Sequence, residues 1–306
     1  MKKSLFSITA TTLLLAAIAA PAEAQSSYGS YSYGGSSGGS CASGSATDRD
    51  FDRSRTLQVV GLTSDNRLVC FNEFSPQEAR SINFVSNLSG GDTALIGIDF
   101  RVQNGLLYGV GNAGGVYLID TANAVATLVN RLSVALDGST SYGVDFNPAA
   151  DRLRITSSKG QNLRHNVNAN GITIADGTLN YTPGVTALGI VGSAYTNNDL
   201  DANTATTLYA LDSTLDQIAL QSPPNNGTLA ATGKLTLDAS AVAGFDIYST
   251  VRNGVTVDVQ ALASIKTADG STGLYSVKLP TGKATPRGNF SAQFMVTDIA
   301  IALNQL

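Results

Sequence analysis

The chain contains no tryptophan, one histidine and two cysteines, and each shortage removes a class of protein. A single histidine, His165, excludes any zinc site built on several imidazoles. Two cysteines, Cys41 and Cys70, are too few for a fold held together by disulfides. Glutamate is scarce as well: of 23 acidic residues only Glu23, Glu73 and Glu78 are glutamates, and the rest are aspartates. Aspartate favours turns and caps where glutamate favours helix interiors, so the shortage speaks against a helical protein. Charged residues make up 14% of the chain and the net charge is −4, which disfavours nucleic acid and anionic membrane surfaces as partners. Between residues 56 and 306 there is no Gly-x-Ser-x-Gly elbow, no His-Glu-x-x-His and no phosphate loop ending in Gly-Lys-Ser/Thr. No residue is assigned a catalytic role.

Residues 1–24 read as a secretory signal peptide. Lys2 and Lys3 precede an apolar run over residues 5–20, and "AEA" supplies small residues before a cut after Ala24. Removing this leader takes away two lysines and Glu23 and leaves a net charge near −5. No later segment is apolar for long enough to span a bilayer, so the expected address is secreted, periplasmic or cell-surface, with no transmembrane segment in the mature chain. Residues 25–55, beginning "QSSYGSYSYGGSSGGSCASGS", offer too little apolar surface to offset the entropy of ordering and read as a flexible arm. In an exported protein Cys41 and Cys70 have the choice of pairing, which would close a loop worth roughly 3–4 kcal/mol. The alternative for Cys70, within "NRLVCF", is a small buried thiol.

From Thr56 onward short alternating or apolar runs are bounded by Gly, Asn and Asp, a β texture throughout. A signature recurs: "GIDF" at 97–100, "GVDF" at 143–146, "GSAY" at 192–195, "GFDI" at 244–247 and "VTDI" at 296–299. Each of the first four is followed by further strand-like runs, such as "LLYGV" and "GVYLID", which makes four short strands per unit of about 50 residues, the size of a propeller blade. The first unit, beginning at Thr56, has three runs and lacks the signature strand, whereas the chain ends in "VTDIAIALNQL" with no runs after it. The two fragments complete one blade. The expected fold is therefore an all-β propeller over residues 56–306, closed by pairing residues 296–303 beside 57–62. Five four-stranded blades are expected, with units starting at Thr56 and near Ala94, Ser141, Ile190 and Ala241. Six blades would require a degenerate unit hidden in a connection, and a stacked sandwich or open solenoid are the other architectures the pattern permits.

The stretch "SAYTNNDLDANTATTLYALDSTLDQIALQSPPNNGTLAATGKL", with "GVDFNPAADRLRI" and the closing "VTDIAIAL", resembles a family of secreted bacterial proteins catalogued as domain of unknown function 4394. The likeness extends over residues 56–306. It implies a propeller-like fold and an exported location, and it supplies neither a substrate nor catalytic residues.

The recurring acids are the main chemical signal. Asp99, Asp145, Asp246 and Asp298 fall in equivalent columns, with Ala194 in the remaining one. If these strands are innermost, the carboxylates converge on the channel and suit a hard cation such as calcium. The plainer reading is that each accepts backbone hydrogen bonds within or between blades. "DLDAN" at 199–203 starts like a calcium loop but has Thr204 where that loop needs Gly and Ala210 where it needs Glu. Tyr108, Tyr117, Tyr142, Tyr195, Tyr209 and Tyr275 suit either a sugar-binding face or core packing with the hydroxyl on a polar partner. His165 between Arg164 and Asn166 suits a structural role or, less well, a general base.

Two functions follow. One is an exported noncatalytic binding or surface-associated module for a protein, a glycan or a cell-wall polymer. The other is a metal-assisted propeller hydrolase or lactonase that uses the channel aspartates.

Overall fold

Hairpin turns set the spacing of the strands. Asn66, Asp151 and Asp216 take positive φ values of 61°, 50° and 47° at tight turns, a conformation that Asn and Asp accept more readily than other side-chain-bearing residues. The aspartate excess read from the sequence is in part this turn chemistry. The computed structural model describes residues 56–168, 171–197, 199–200, 204–252, 255–303 and 305. In chain order the strands are β1 (Gln58–Thr63), β2 (Arg67–Asn72), β3 (Arg80–Phe84), β4 (Leu95–Arg101), β5 (Leu106–Gly111), β6 (Gly115–Ile119), β7 (Ala126–Arg131), β8 (Tyr142–Asn147), β9 (Arg152–Ser157), β10 (Asn162–His165) and β11 (Thr173–Ala175). There follow β12 (Asn180–Thr182), β13 (Val185–Thr186), β14 (Ile190–Tyr195), β15 (Leu208–Asp212), β16 (Gln217–Gln221), β17 (Leu229–Lys234), β18 (Ala239–Arg252), β19 (Val255–Thr267), β20 (Thr272–Val277), β21 (Ala284–Asn289) and β22 (Val296–Ile301).

These strands form five four-stranded antiparallel blades of a propeller. The second to fifth blades are β4–β7, β8–β11, β14–β17 and β18–β21. The first is built from both ends of the ring, in the order β22, β1, β2, β3. The closure expected from the two incomplete units is present, with Val59 opposite Ile301 and Gly61 opposite Ile299. The small β12–β13 hairpin, which the repeat does not announce, is a separate two-stranded sheet between the third and fourth blades.

Inner strands β4, β8, β14, β18 and β22 pack side by side in that order, and β22 returns to β4. Burial falls outward along each blade: β14 is buried at all six positions, while the outermost β3 is largely exposed. The core lies between blades. Val60, Leu62 and Leu68 of the first blade meet Ile98, Phe100 and Leu107 of the second, and on its other side Val69 and Phe71 meet Leu262 and Leu274 of the fifth. Apolar residues on both faces of the inner strands therefore reflect neighbours on both sides.

The Cys41–Cys70 pairing that the sequence leaves open, the leader and the arm involve residues outside those described. Cys70 itself is buried in β2.

Candidate functional site

Asp99 on β4, Asp145 on β8 and Asp246 on β18 point into the ring, and one carboxylate oxygen from each lies within 4.8 Å of the others. Each carboxylate also joins its own blade to the next. Asp99 Oδ2 accepts the Phe146 amide at 2.6 Å, Asp145 Oδ1 accepts the Tyr195 amide at 3.0 Å, and Asp246 Oδ2 accepts the Ile301 amide at 2.6 Å. Asp99 Oδ1 and Asp246 Oδ1 are also engaged, by the amides of Phe100 and Ile247. Asp145 accepts one amide among the described residues. The hydrogen-bonded reading of the column and its convergence on the channel are thus both present in the same side chains.

Asp298 departs from the expected column. In the first two junctions the bonded amide belongs to the residue just after the column position, Phe146 after Asp145 and Tyr195 after Ala194. By the same geometry Ile301 follows the column position in β22, which is Ala300. Asp298 instead sits at the level of the glycines. Its Oδ2 accepts the Ile98 amide at 2.8 Å, and a Cβ added at Gly97 would lie 3.0 Å from that oxygen. Matching Asp to Asp in the sequence slips β22 by two residues, and because side chains alternate with period two, that slip leaves every side chain on its own face.

The channel is electrostatically one-sided. Burial, and secondarily the neighbouring carboxylates, hold Asp99 and Asp145 well above the ordinary carboxylate range. Burial likewise raises Asp298 well above that range and holds Asp246 at about 7. The groups that favour ionisation are backbone amides alone, with no Lys, Arg or His among them. Three buried carboxylates without a counter-charge favour either shared protons or a bound cation. The adjoining cavity of about 20 Å³ is lined by the three aspartates with Phe100, Tyr195 and Asn197 among others, and it accommodates one water-sized species.

A pH dependence follows. A carboxyl whose pKa is raised on folding keeps its proton after the unfolded chain has lost it, so its contribution to stability falls as pH rises from about 4 through the folded value. For Asp246 that window ends near pH 7. His165 acts oppositely: burial pushes it down to about 4, so its contribution falls as pH drops below about 6.5. Comparison with a variant cancels the histidine. Asp145→Asn retains an acceptor for the Tyr195 amide, and its NH₂ can donate to a neighbouring carboxylate. In chelator, the variant is expected to gain several degrees in Tm relative to wild type between pH 5 and pH 8, measured by calorimetry.

His165 itself is fully buried, with Nε2 2.8 Å from Asn130 Oδ1 and Nδ1 2.9 Å from Thr173 Oγ1. Since the amide oxygen only accepts, Nε2 carries the proton and Nδ1 accepts from the threonine hydroxyl, which is a structural arrangement. The tyrosines do not gather into one face. Tyr117 donates to Asp92 at 2.7 Å, Tyr142 bonds Asp137 at 3.2 Å, and Tyr108 packs edge-on against Phe146. The Asp201 to Asn203 part of the abortive calcium loop lies outside the described residues.

One polar cluster went unread in the sequence. Arg154 on β9, only 2% exposed, bonds Asp176 Oδ2 at 2.6 Å, Asn162 at 2.8 Å, Asn225 at 2.9 Å and the Tyr195 hydroxyl at 3.3 Å. It ties the third blade to the fourth. Its signal was an arginine at an inward position of "RLRIT", which is indistinguishable by pattern from an edge charge.

A family model described as "Domain of unknown function (DUF4394)" matches residues 67–300. No curated protein matches the chain. Among solved structures, the chain resembles an auxiliary nutrient binding protein from Bacteroides ovatus at 14% identity and a TM-score of 0.40, covering 69% of this chain and 56% of that one. A second auxiliary nutrient binding protein, from Bacteroides thetaiotaomicron, gives 15% identity and a TM-score of 0.36, with 57% and 46% covered. The chain thus spans about half the length of these two. A protein provisionally described as a 6-phosphogluconolactonase, from Bacteroides uniformis, gives 12% identity and a TM-score of 0.38, with 77% and 82% covered. Among the described residues no helix is long and apolar enough to cross a membrane.

Proposed function

Because the chain belongs to the DUF4394 family, whose description names no activity, we propose its function from the ring itself: an exported, noncatalytic binding module that engages its ligand outside the channel. The observation that carries this reading is the size of the channel cavity. About 20 Å³ admits a single water-sized species, whereas organic substrates occupy pockets of about 300–1,000 Å³. The carboxylates beside it are largely spent on amides of the adjoining blade. Export rests on the basic and apolar character of residues 1–24. A protein, a glycan or a cell-wall polymer is the class of ligand that suits an exported propeller with a long Ser/Gly/Tyr-rich arm.

A second reading has one observation in its favour, the approach of three carboxylate oxygens to within 4.8 Å. Calcium accepts oxygen ligands in flexible number, and Asp99, Asp145 and Asp246 would hold it. In a hydrolase or lactonase such an ion would polarise the substrate carbonyl.

Two measurements separate these readings. Co-sedimentation of the mature chain with insoluble cell-wall polymer, or its retention on immobilised glycans, is expected without chemical change in the polymer. Calorimetry in chelator and then in calcium reports the ion: a site filled at a hundred times its Kd adds about 2.7 kcal/mol. Turnover of a sugar lactone that requires calcium and disappears in Asp246→Asn would overturn the noncatalytic reading.

A further inference from the structure

Around the channel, four of the five blade junctions are clasped by an inner-strand carboxylate among the described residues. Asp298 of the first blade accepts the Ile98 amide of the second. Asp99, Asp145 and Asp246 reach from the second, third and fifth blades to the amides of Phe146, Tyr195 and Ile301 in the next blade round the ring. The fourth blade has Ala194 at its column position, so it reaches the fifth with no carboxylate at that level. The Ile247 amide, which an aspartate at 194 would face, bonds instead to Asp246 Oδ1 of its own strand at 2.6 Å. Ala300 has the same consequence in the first blade: the Phe100 amide turns to Asp99 Oδ1 at 2.7 Å.

This pattern decides which carboxylate oxygen is left over. Asp99 and Asp246 each commit both oxygens to amides, one in the next blade and one in their own strand. Asp145 commits one, because the Phe146 amide that follows it is already held by Asp99, and its Oδ2 has no hydrogen bond among the described residues. The side chain is 4% exposed and lines the water-sized cavity together with Asp99 and Asp246. A buried carboxylate oxygen without a donor is costly, and no Lys, Arg or His stands among the groups that act on Asp145. The three carboxylates place oxygens within 4.8 Å of one another. Opposite oxygen ligands of a calcium ion, each about 2.3–2.6 Å away, span roughly 4.6–5.2 Å, so a single ion suits this spacing. Magnesium keeps several of its waters, for which a cavity of about 20 Å³ has no room.

We propose that one calcium ion, anchored on Asp145 Oδ2 and shared with Asp246 and Asp99, supplies the clasp that Ala194 leaves out. Asp145 already grips the Tyr195 amide of the fourth blade, and Asp246 belongs to the fifth. An ion between these two carboxylates joins the two blades that lack a carboxylate of their own, and Asp99 ties the second blade to the same point. The ion is then a latch on the ring, with no step of chemistry assigned to it, and the rigidity of the propeller becomes conditional on calcium. This inference rests on the second reading above, in that an ion enters the channel, and adds which oxygen anchors the ion and which junction it controls.

The test combines titration calorimetry with calcium chloride, thermal melts and hydrogen exchange on the purified chain, first stripped with chelator. One ion per chain is expected, with a Tm that climbs with the logarithm of free calcium once the site is filled. Magnesium chloride at the same concentrations should leave Tm unchanged. Asp145→Asn keeps an acceptor for the Tyr195 amide but offers an NH₂ group where the ion would sit, so it should weaken calcium binding at least ten-fold; its melt in chelator reports that the variant is folded. With calcium, amides of β14 and β18 should exchange at least three-fold more slowly, while those of β6 and β20, in the middle of their blades, should change less. Absence of binding heat and of any calcium-dependent Tm shift in wild type would sink the cation reading and this inference together. Calcium binding that Asp145→Asn leaves within two-fold of wild type, or that leaves exchange in β14 and β18 unchanged, or that magnesium reproduces, overturns this inference alone and leaves an ion in the chain to be accounted for by the cation reading.

Discussion

A chain lacking residues 296–306 is expected to lose the single cooperative unfolding transition of the ring. The deletion removes β22, the innermost strand of the first blade, with Val296, Ile299 and Ile301 all 2% exposed or less. At about 1.5–3 kcal/mol for each large aliphatic side chain, these three alone are worth roughly 5–9 kcal/mol. That is comparable with the whole stability of a typical domain, about 5–15 kcal/mol. The loss does not stop at the strand. The inner edge of β1 is uncovered, Asp246 loses the Ile301 amide, and the Ile98 amide loses Asp298 as its buried acceptor. Calorimetry with near-ultraviolet circular dichroism checks this, since a truncated chain should retain strand signal without fixed tertiary packing. A truncated chain that melts as sharply and at the same temperature as the parent would refute closure by β22.

Gly244→Ala is expected to lower Tm by about 6–12 °C, corresponding to roughly 3 kcal/mol of overpacking in a domain of this size. A Cβ at this position would lie 2.4 Å from Asp298 Cα and 2.7 Å from the Ile299 nitrogen. Both are backbone atoms and cannot turn aside, so β18 and β22 must part. The same reasoning applies to Gly143, where the added carbon would stand 2.4 Å from the Ser193 nitrogen. Gly61 is the contrast, since its Cβ would meet only side-chain carbons at 3.0 to 3.1 Å. Gly61→Ala should therefore cost less than half as much. Thermal melts of the three variants check the order, and equal losses in all of them would mean that the inner strands are not held at closest approach by their glycines. The glycine of the recurring signature is in this view a requirement of the ring, because it lets one blade's inner strand reach the carboxylate of its neighbour.

The same distinction separates what could be read in advance from what could not. Strand period, turn residues and blade count were legible because they are local: alternation and Asn/Asp turns report on a few neighbouring residues, and the unit recurs about every 50 residues. Closure was legible because two partial units at the chain ends complete each other. The convergence of Asp99, Asp145 and Asp246 followed from their shared place in innermost strands. The position of Asp298 did not follow, since a two-residue slip of β22 preserves every inward and outward face. Arg154 escaped notice because a charge on an alternating strand reads as exposed until a neighbouring blade brings Asp176 and Asn225 to it. The amino-acid sequence by itself determined the repeating strands, their turns and the two half-blades that must meet. Only the tertiary structure decided register between blades and the pairing of buried charges, because each depends on the distance between segments far apart in the chain.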